Sequence, residues 1–195
     1  MRLTFHHAFL AVVLGLAGAS VTFTIHVFRL KRSLASGLAE PLKSGQAATL
    51  ETVLDGDEVA VRVGSETLRV RLLGIYAFDP TTADPVEQAA GRAALRHLEG
   101  FRGQPVDVVF DELKQDSRKR ILAYLEKDGK DLGEGMLAQG LVVAYTKYPV
   151  PRMNAYLLAE GRASKAALGI WADPQVARRA TDLKALWETQ RRRGD

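Results

Sequence analysis

Apolar residues crowd the first thirty positions and then fall into alternation. From Ala8 to Phe28 the chain reads AFLAVVLGLAGASVTFTIHVF, without a formal charge and with Ser20, Thr22, Thr24 and His26 as its polar interruptions. A helix needs about 20 such residues to cross the hydrocarbon core, so residues 8–28 predict a transmembrane helix and residues 1–29 an N-terminal membrane anchor. Arg29, Lys31 and Arg32 follow at once, as suits a membrane edge. The competing reading is a cleaved signal peptide, with Arg2 as the charged start and Ala17-Gly18-Ala19 as the small-residue cleavage motif; the protein would then be exported. Continuation of the run past Ala19 to Phe28 favours the anchor, and no polar face at helical spacing supports a soluble helix. Positive charge is heavier after the span than before it, which favours a cytoplasmic C-terminal side. Residues 30–46, with Ser, Gly, Ala and Pro41, read as a tether.

Beyond the tether the period shortens to two. Residues 49–54, 58–63 and 66–75 are β-rich runs, punctuated by Asp55-Gly56-Asp57 and Gly64-Ser65. Val59, Val61 and Val63 share one face of a strand, as do Leu68, Val70 and Leu72. Residues 85–97 then predict a helix, with Ala90, Ala94, Leu95 and Leu98 as its stripe. Two more strands follow at 106–110 and 120–125. Helices are predicted over 132–139, ending at Gly140, and over 151–167. Five strands with helices inserted late imply a small closed barrel, because a short open sheet leaves its edges unprotected. Residues 173–193 predict one more helix, with Asp173-Pro174 at N-cap and N1. Val176, Leu183, Leu186 and Trp187 can form its stripe, while Arg178, Arg179, Lys184 and Arg191 to Arg193 lie mostly elsewhere. A solvated basic tail is the default reading, with docking on the barrel or on an anionic surface as alternatives.

Composition narrows the chemistry. A chain of 195 residues, 47% hydrophobic and 26% charged, fits one folded domain with an appendage. The absence of cysteine excludes a disulfide scaffold, a thiol nucleophile and any Cys-ligated metal. A net charge of +4 permits an anionic partner without requiring one. His6, His7, His26 and His97 are scattered and make neither a triad nor a metal set.

Six blocks in order then become recognisable. They are Leu54-Asp55-Gly56-Asp57 with the Arg71-Leu72-Leu73 strand, Arg120 to Tyr124, Asp128-Gly129-Lys130, Met136 to Val142, and Gly169-Ile170-Trp171. Together they resemble the staphylococcal nuclease (thermonuclease) family over residues 47–171. That resemblance implies a mainly β, α+β fold: an OB-fold barrel of five strands capped by about three helices, preceded here by the transmembrane helix and followed by the basic helix of residues 172–195. It also implies nucleic acid, DNA or RNA, as the partner.

Hydrolysing a phosphodiester requires neutralising an anionic pentacoordinate centre, activating water and holding the strand. Planar arginine forks suit phosphate oxygens, and a hard cation needs carboxylate and carbonyl oxygens. Carried over residue by residue, the resemblance places Arg71 and Arg120 on the two phosphate-binding arginines. It places Asp57 on a metal-binding aspartate and implies calcium as the cofactor of an active enzyme. Tyr145, Lys147 and Tyr148 resemble the segment that contacts bases, where stacking is chemically sensible. After Arg71, however, the chain continues Leu72-Leu73-Gly74-Ile75-Tyr76-Ala77-Phe78-Asp79-Pro80. Tyr76 stands where a second metal-binding aspartate belongs, and Asp79 where the water-activating glutamate belongs, one methylene shorter. A local slip would instead make Asp79 the metal-site aspartate and leave Asp84 or Glu87 as the base. Tyr76 ionises only near pH 10 and does not replace a carboxylate. Two functions therefore stay open: a metal-dependent phosphodiesterase, and a catalytically impaired domain that binds nucleic acid or a protein partner at the membrane.

Overall fold

In the computed structural model, residues 42–194 are described, together with Ser20, Thr24 and Ile25. The apolar span over 8–28 and the tether over 30–46 fall largely outside the described residues. Among those described, no helix is long and apolar enough to cross a membrane. Contacts divide the chain into Met1–Lys43 and Ser44–Asp195, and among the described residues every strand, and every helix from Pro85 to Arg193, lies in the second unit.

Strand β1 (Gln46–Asp55), β2 (Glu58–Val63) and β3 (Glu66–Leu72) form an antiparallel meander, turning at Gly56 and at Gly64-Ser65. Strand β4 (Ile75–Tyr76) is short, because Leu73-Gly74 breaks what reads in sequence as one run to residue 75. Helix α1 (Pro85–Glu99) is followed by β5 (Pro105–Gln115) and β6 (Ile121–Lys127), both longer than the predicted strands. A two-residue β7 (Lys130–Asp131) leads into α2 (Leu132–Ala138), then β8 (Val143–Ala144), α3 (Met153–Lys165), a 3-10 turn (Gly169–Trp171) and α4 (Pro174–Arg193).

The sheet runs β3-β2-β1-β5-β6-β7 and closes through a parallel pairing of β3 with β6. Closure makes a five-stranded OB-type barrel, with β4 and β8 as a separate ribbon. Leu50, Val59, Val61, Val70, Val108, Ile121, Ala123 and Leu125 point inward and are essentially inaccessible. These are the positions that period-two alternation assigns to one face, so burial of their apolar area drives closure.

Helix ends follow the sequence signals. Asp84 caps α1 by accepting from the Val86 and Glu87 amides at 2.9 and 3.1 Å, with Pro85 in the first turn. Asp173 does the same for α4, accepting from Gln175 and Val176 at 2.8 and 3.2 Å.

The reading of α4 as a solvated tail is corrected. Val176, Ala180, Leu183 and Trp187 are buried with Phe78, Val143 and Ile170 in one apolar cluster. The spacing of these four positions makes a true helical stripe, whereas Leu186 is 51% exposed and lies off it. Polar ties flank the stripe. Gln175 Nε2 donates to Asp84 Oδ2 at 2.8 Å, Arg179 pairs with Glu87 at 3.3 Å, and Lys184 pairs with the buried Glu160. Glu160 also accepts from the Ala144 amide at 2.8 Å, so α4 is pinned to the β4–β8 ribbon through a shared carboxylate.

Candidate functional site

The β1–β2 turn carries the first site residues. At Gly56 an added Cβ would lie 2.6 Å from the Ala77 Cβ and 2.7 Å from the Ala94 Cβ, so glycine lets the turn press against α1. Asp57 is thereby driven inward and is only 6% exposed. Its Oδ2 accepts from the Ala77 amide at 2.9 Å and pairs with Arg71 Nη2 at 2.8 Å. Arg71 is held further by the backbone, donating to Leu72 O at 2.6 Å and Ile75 O at 2.9 Å. Burial pushes the Asp57 carboxyl up to about 6, outweighing the opposing pull of Arg71 and the Ala77 amide.

Register explains the next group. Glu58 lies opposite Arg71, and Ala60 opposite Arg69, so Glu58, Arg69 and Arg71 share the outer face of the hairpin. Arg120 enters from just before β6, whose Ile121 pairs with Val70. Glu58 bridges these elements: one oxygen binds Arg69, and Oε2 pairs with Arg120 Nη1 at 2.5 Å. Arg120 is clamped from its other side by Asp116, with Nε and Nη2 at 2.7 and 2.6 Å from Oδ2. The Asp116 carboxylate also accepts from the Arg120 amide at 3.0 Å, a tight loop closure. For both Glu58 and Asp116, burial works to raise the pKa, but the arginine hydrogen bonds win and hold them below the usual carboxylate range. Neither Asp116 nor Glu58 is among the residues that the sequence motifs single out. The signal available was the shared face of Glu58, Arg69 and Arg71 in the alternation.

The remaining candidates are placed as follows. Tyr76 is half-buried, with its ring edge-on to Phe78 at 5.9 Å and to Trp187 of α4 at 5.3 Å. Burial first, then the nearby Asp57 charge, raise its pKa above the usual 10, so it is a neutral phenol at pH 7. Asp79 is exposed, its Oδ1 accepting from the Thr81 amide at 2.7 Å and the Thr81 hydroxyl at 2.6 Å, and its charge reaches Asp55. Asp84 and Glu87 are occupied by the α1 cap and by Arg179. Tyr145 packs edge-on against Trp187 at 4.8 Å and Tyr148 at 6.0 Å, while Tyr148 is 59% exposed with the Lys147 ammonium 5.4 Å from its ring centre. Asp57, Arg71 and Arg120 thus gather in one patch, Tyr145, Lys147 and Tyr148 in a second, and Asp79 joins neither by contact.

Calcium takes six to eight oxygen ligands, usually with more than one carboxylate. Here Asp57 Oδ2 already serves a guanidinium and an amide, position 76 offers a neutral phenol, and Asp79 faces Thr81. Among the described residues no group of three or more His, Asp or Glu side chains is placed to hold a metal. Asp55 of the same turn accepts from the Gly56 amide at 2.7 Å, so Asp55 and Asp57 are the two carboxylates of this turn. What the patch can do chemically is hold charge: Asp57 pairs with Arg71, and beside it Arg69, Glu58, Arg120 and Asp116 form a bonded chain of alternating charge.

Comparison with known proteins bears on the family. The family described as staphylococcal nuclease homologue matches residues 69–173. Endonuclease YncB of Bacillus subtilis (strain 168) is 31% identical over 130 residues, covering 64% of this chain and 61% of that protein. The SPbeta prophage-derived endonuclease YokF of the same strain is 31% identical over 130 residues, covering 64% and 43%. Micrococcal nuclease of Shigella flexneri is 32% identical over 133 residues, covering 64% and 72%. The chain therefore spans less than two thirds of the two Bacillus proteins.

Proposed function

The chain belongs to the staphylococcal nuclease homologue family, and from that premise we propose that it is a nucleic-acid-binding domain in which metal-dependent hydrolysis is impaired. One observation carries the reading: the Asp57 carboxylate is closed by Arg71 and the Ala77 amide, and position 76 brings a neutral phenol near it, leaving Asp55 of the same turn as the neighbouring carboxylate. Binding would use Arg71 and Arg120 toward phosphate, with the exposed Tyr148 and its neighbour Lys147 as a base-stacking platform. Each arginine must exchange an internal partner for phosphate, so affinity rests on competition between protein and nucleic-acid anions.

A second reading, phosphodiester hydrolysis of DNA or RNA with calcium, Asp57 on the metal and Asp79 as base, is favoured by the names of the relatives and by the two arginines. The experiment is to incubate the full chain with single-stranded DNA in calcium and in EDTA. The proposed reading expects binding that EDTA leaves unchanged and Arg120→Ala weakens, with no calcium-dependent cleavage. Calcium-dependent cleavage abolished by Arg120→Ala would establish the second reading instead. Tyr76→Asp is the companion test: calorimetry should detect calcium affinity in the variant that the parent lacks. Unchanged calcium affinity would show that position 76 is not part of a metal site.

Residues 8–28 are proposed to hold this domain at a membrane, on the strength of their uninterrupted apolar run and the basic residues after it. A mature N-terminus at Ser20, in a soluble exported fraction, would replace the anchor with a cleaved signal peptide.

A further inference from the structure

Glu58 is an unusual resident of a phosphate-binding face. It is a carboxylate only 6% exposed, on the outer side of β2, opposite Arg71 in the strand register. An isolated carboxylate at such a position is costly, and its presence is offset here by two guanidiniums. Arg69 binds one of its oxygens and Arg120 Nη1 lies 2.5 Å from the other. With Asp116 on Nε and Nη2, Arg120 has carboxylate oxygen on both sides of its fork, and its side chain is 15% exposed. An arginine serves a phosphodiester through the same N–H donors that these oxygens now take.

We propose that Glu58 is an internal anion that competes with phosphate for Arg120, and that it thereby sets the strength with which this face takes a nucleic-acid backbone. The inference rests on the nucleic-acid-binding reading above. Glu58 acts through Arg120 and is a positioning residue; it need not touch the ligand. The alternative role, in which Glu58 only orients Arg120 for the phosphate, makes the opposite prediction, because removing its charge would then weaken binding.

The test measures binding of a fluorescein-labelled oligothymidylate by anisotropy across a salt series with EDTA present. It uses the full chain in a non-ionic detergent and compares the parent with Glu58→Gln, Arg120→Ala, the double variant and Glu51→Gln. Glu51 pairs with Arg62 at 3.2 Å and Thr67 at 2.9 Å at the other end of the hairpin, so Glu51→Gln makes the same change of net charge away from Arg120. Expected is about tenfold tighter binding for Glu58→Gln, with a salt slope steeper by about one phosphate contact. That gain should vanish when Arg120→Ala is added, and Glu51→Gln should change affinity less than about twofold. If the parent binds and Arg120→Ala weakens it, but Glu58→Gln binds equally or less tightly, the proposal fails while the nucleic-acid-binding reading stands. A gain that survives Arg120→Ala, or an equal gain from Glu51→Gln, overturns the proposal as general electrostatics. If neither the parent nor Glu58→Gln binds, both fail. Should Glu58→Gln not fold, Glu58→Asp keeps the charge but is too short to span both arginines. A rise of about threefold is then expected, and no rise overturns the proposal.

Discussion

Truncating Trp187 tests whether α4 belongs to the folded domain. The side chain is 6% exposed and stands edge-on to Tyr145 at 4.8 Å and to Tyr76 at 5.3 Å. Removing a buried Trp or Phe costs about 3–5 kcal/mol through lost transfer energy and the cavity left behind. Trp187 lies in the last two turns of α4, where a helix end can shift to fill part of the space, so the lower half of that range applies. Each aromatic pair adds about 0.5–1.5 kcal/mol beyond its buried area, and two are lost. Trp187→Ala should therefore destabilise the domain by at least about 4 kcal/mol, a large share of the about 5–15 kcal/mol typical of a folded domain. For a unit of this size that lowers Tm by about 8–16 °C. Urea unfolding followed by circular dichroism would read the loss as a lower midpoint with an unchanged slope. A second readout is local: the Tyr145 ring should lose its fixed environment, while the barrel side chain Val59, outside the Trp187 cluster, keeps its own. A destabilisation under about 1 kcal/mol would refute the docking argument, since a solvated helix gives up little when one apolar side chain is removed.

Two further outcomes follow from burial and from close approach. Asp57 titrates near pH 6 in the folded chain, well above the ordinary 3.8, so the folded state holds that proton more tightly than the unfolded one. Its contribution to stability is complete below the unfolded pKa and is lost as pH rises through about 6, on the order of 2–3 kcal/mol. Measured against Asp57→Asn, the parent should lose relative stability between about pH 4 and pH 7; a pH-independent difference would contradict this. At Gly91 on α1 an added Cβ would lie 2.4 Å from the Phe78 carbonyl oxygen and 2.7 Å from the Pro80 nitrogen. Gly91→Ala should destabilise by about 1–3 kcal/mol despite alanine's better helix propensity, and a more stable variant by thermal melting would show that the helix can move away.

Much of the architecture was legible because it depends on local period and local hydrogen bonding. Val59 and Val61, like Leu68, Val70 and Leu72, alternate as half-buried strands must, and they are buried as a set. Asp173-Pro174 opens α4 and Gly140 follows α2 for reasons confined to a few neighbouring residues. The α4 stripe was half legible. Helical period favours Ala180 over Leu186, but an alanine is too weakly apolar to mark a core position in sequence, and its burial beside Phe78 and Val143 is what places it there.

The sequence by itself determined which charged residues the β1–β3 region carries, how they alternate along its strands and which family they resemble. Only the tertiary structure decided which charge satisfies which. Glu58 and Arg120 stand 62 residues apart and meet because β3 and β6 close the barrel in one register. Asp57 and Arg71 meet across a single hairpin, yet the Ala77 amide that shares the same oxygen comes from the segment after β4. A carboxylate has few lone pairs and a guanidinium five donors, so once burial excludes water each bond made removes one from any outside ligand. That allocation is a property of three-dimensional neighbours, and it bears on whether this face offers its arginines to phosphate or keeps them for itself.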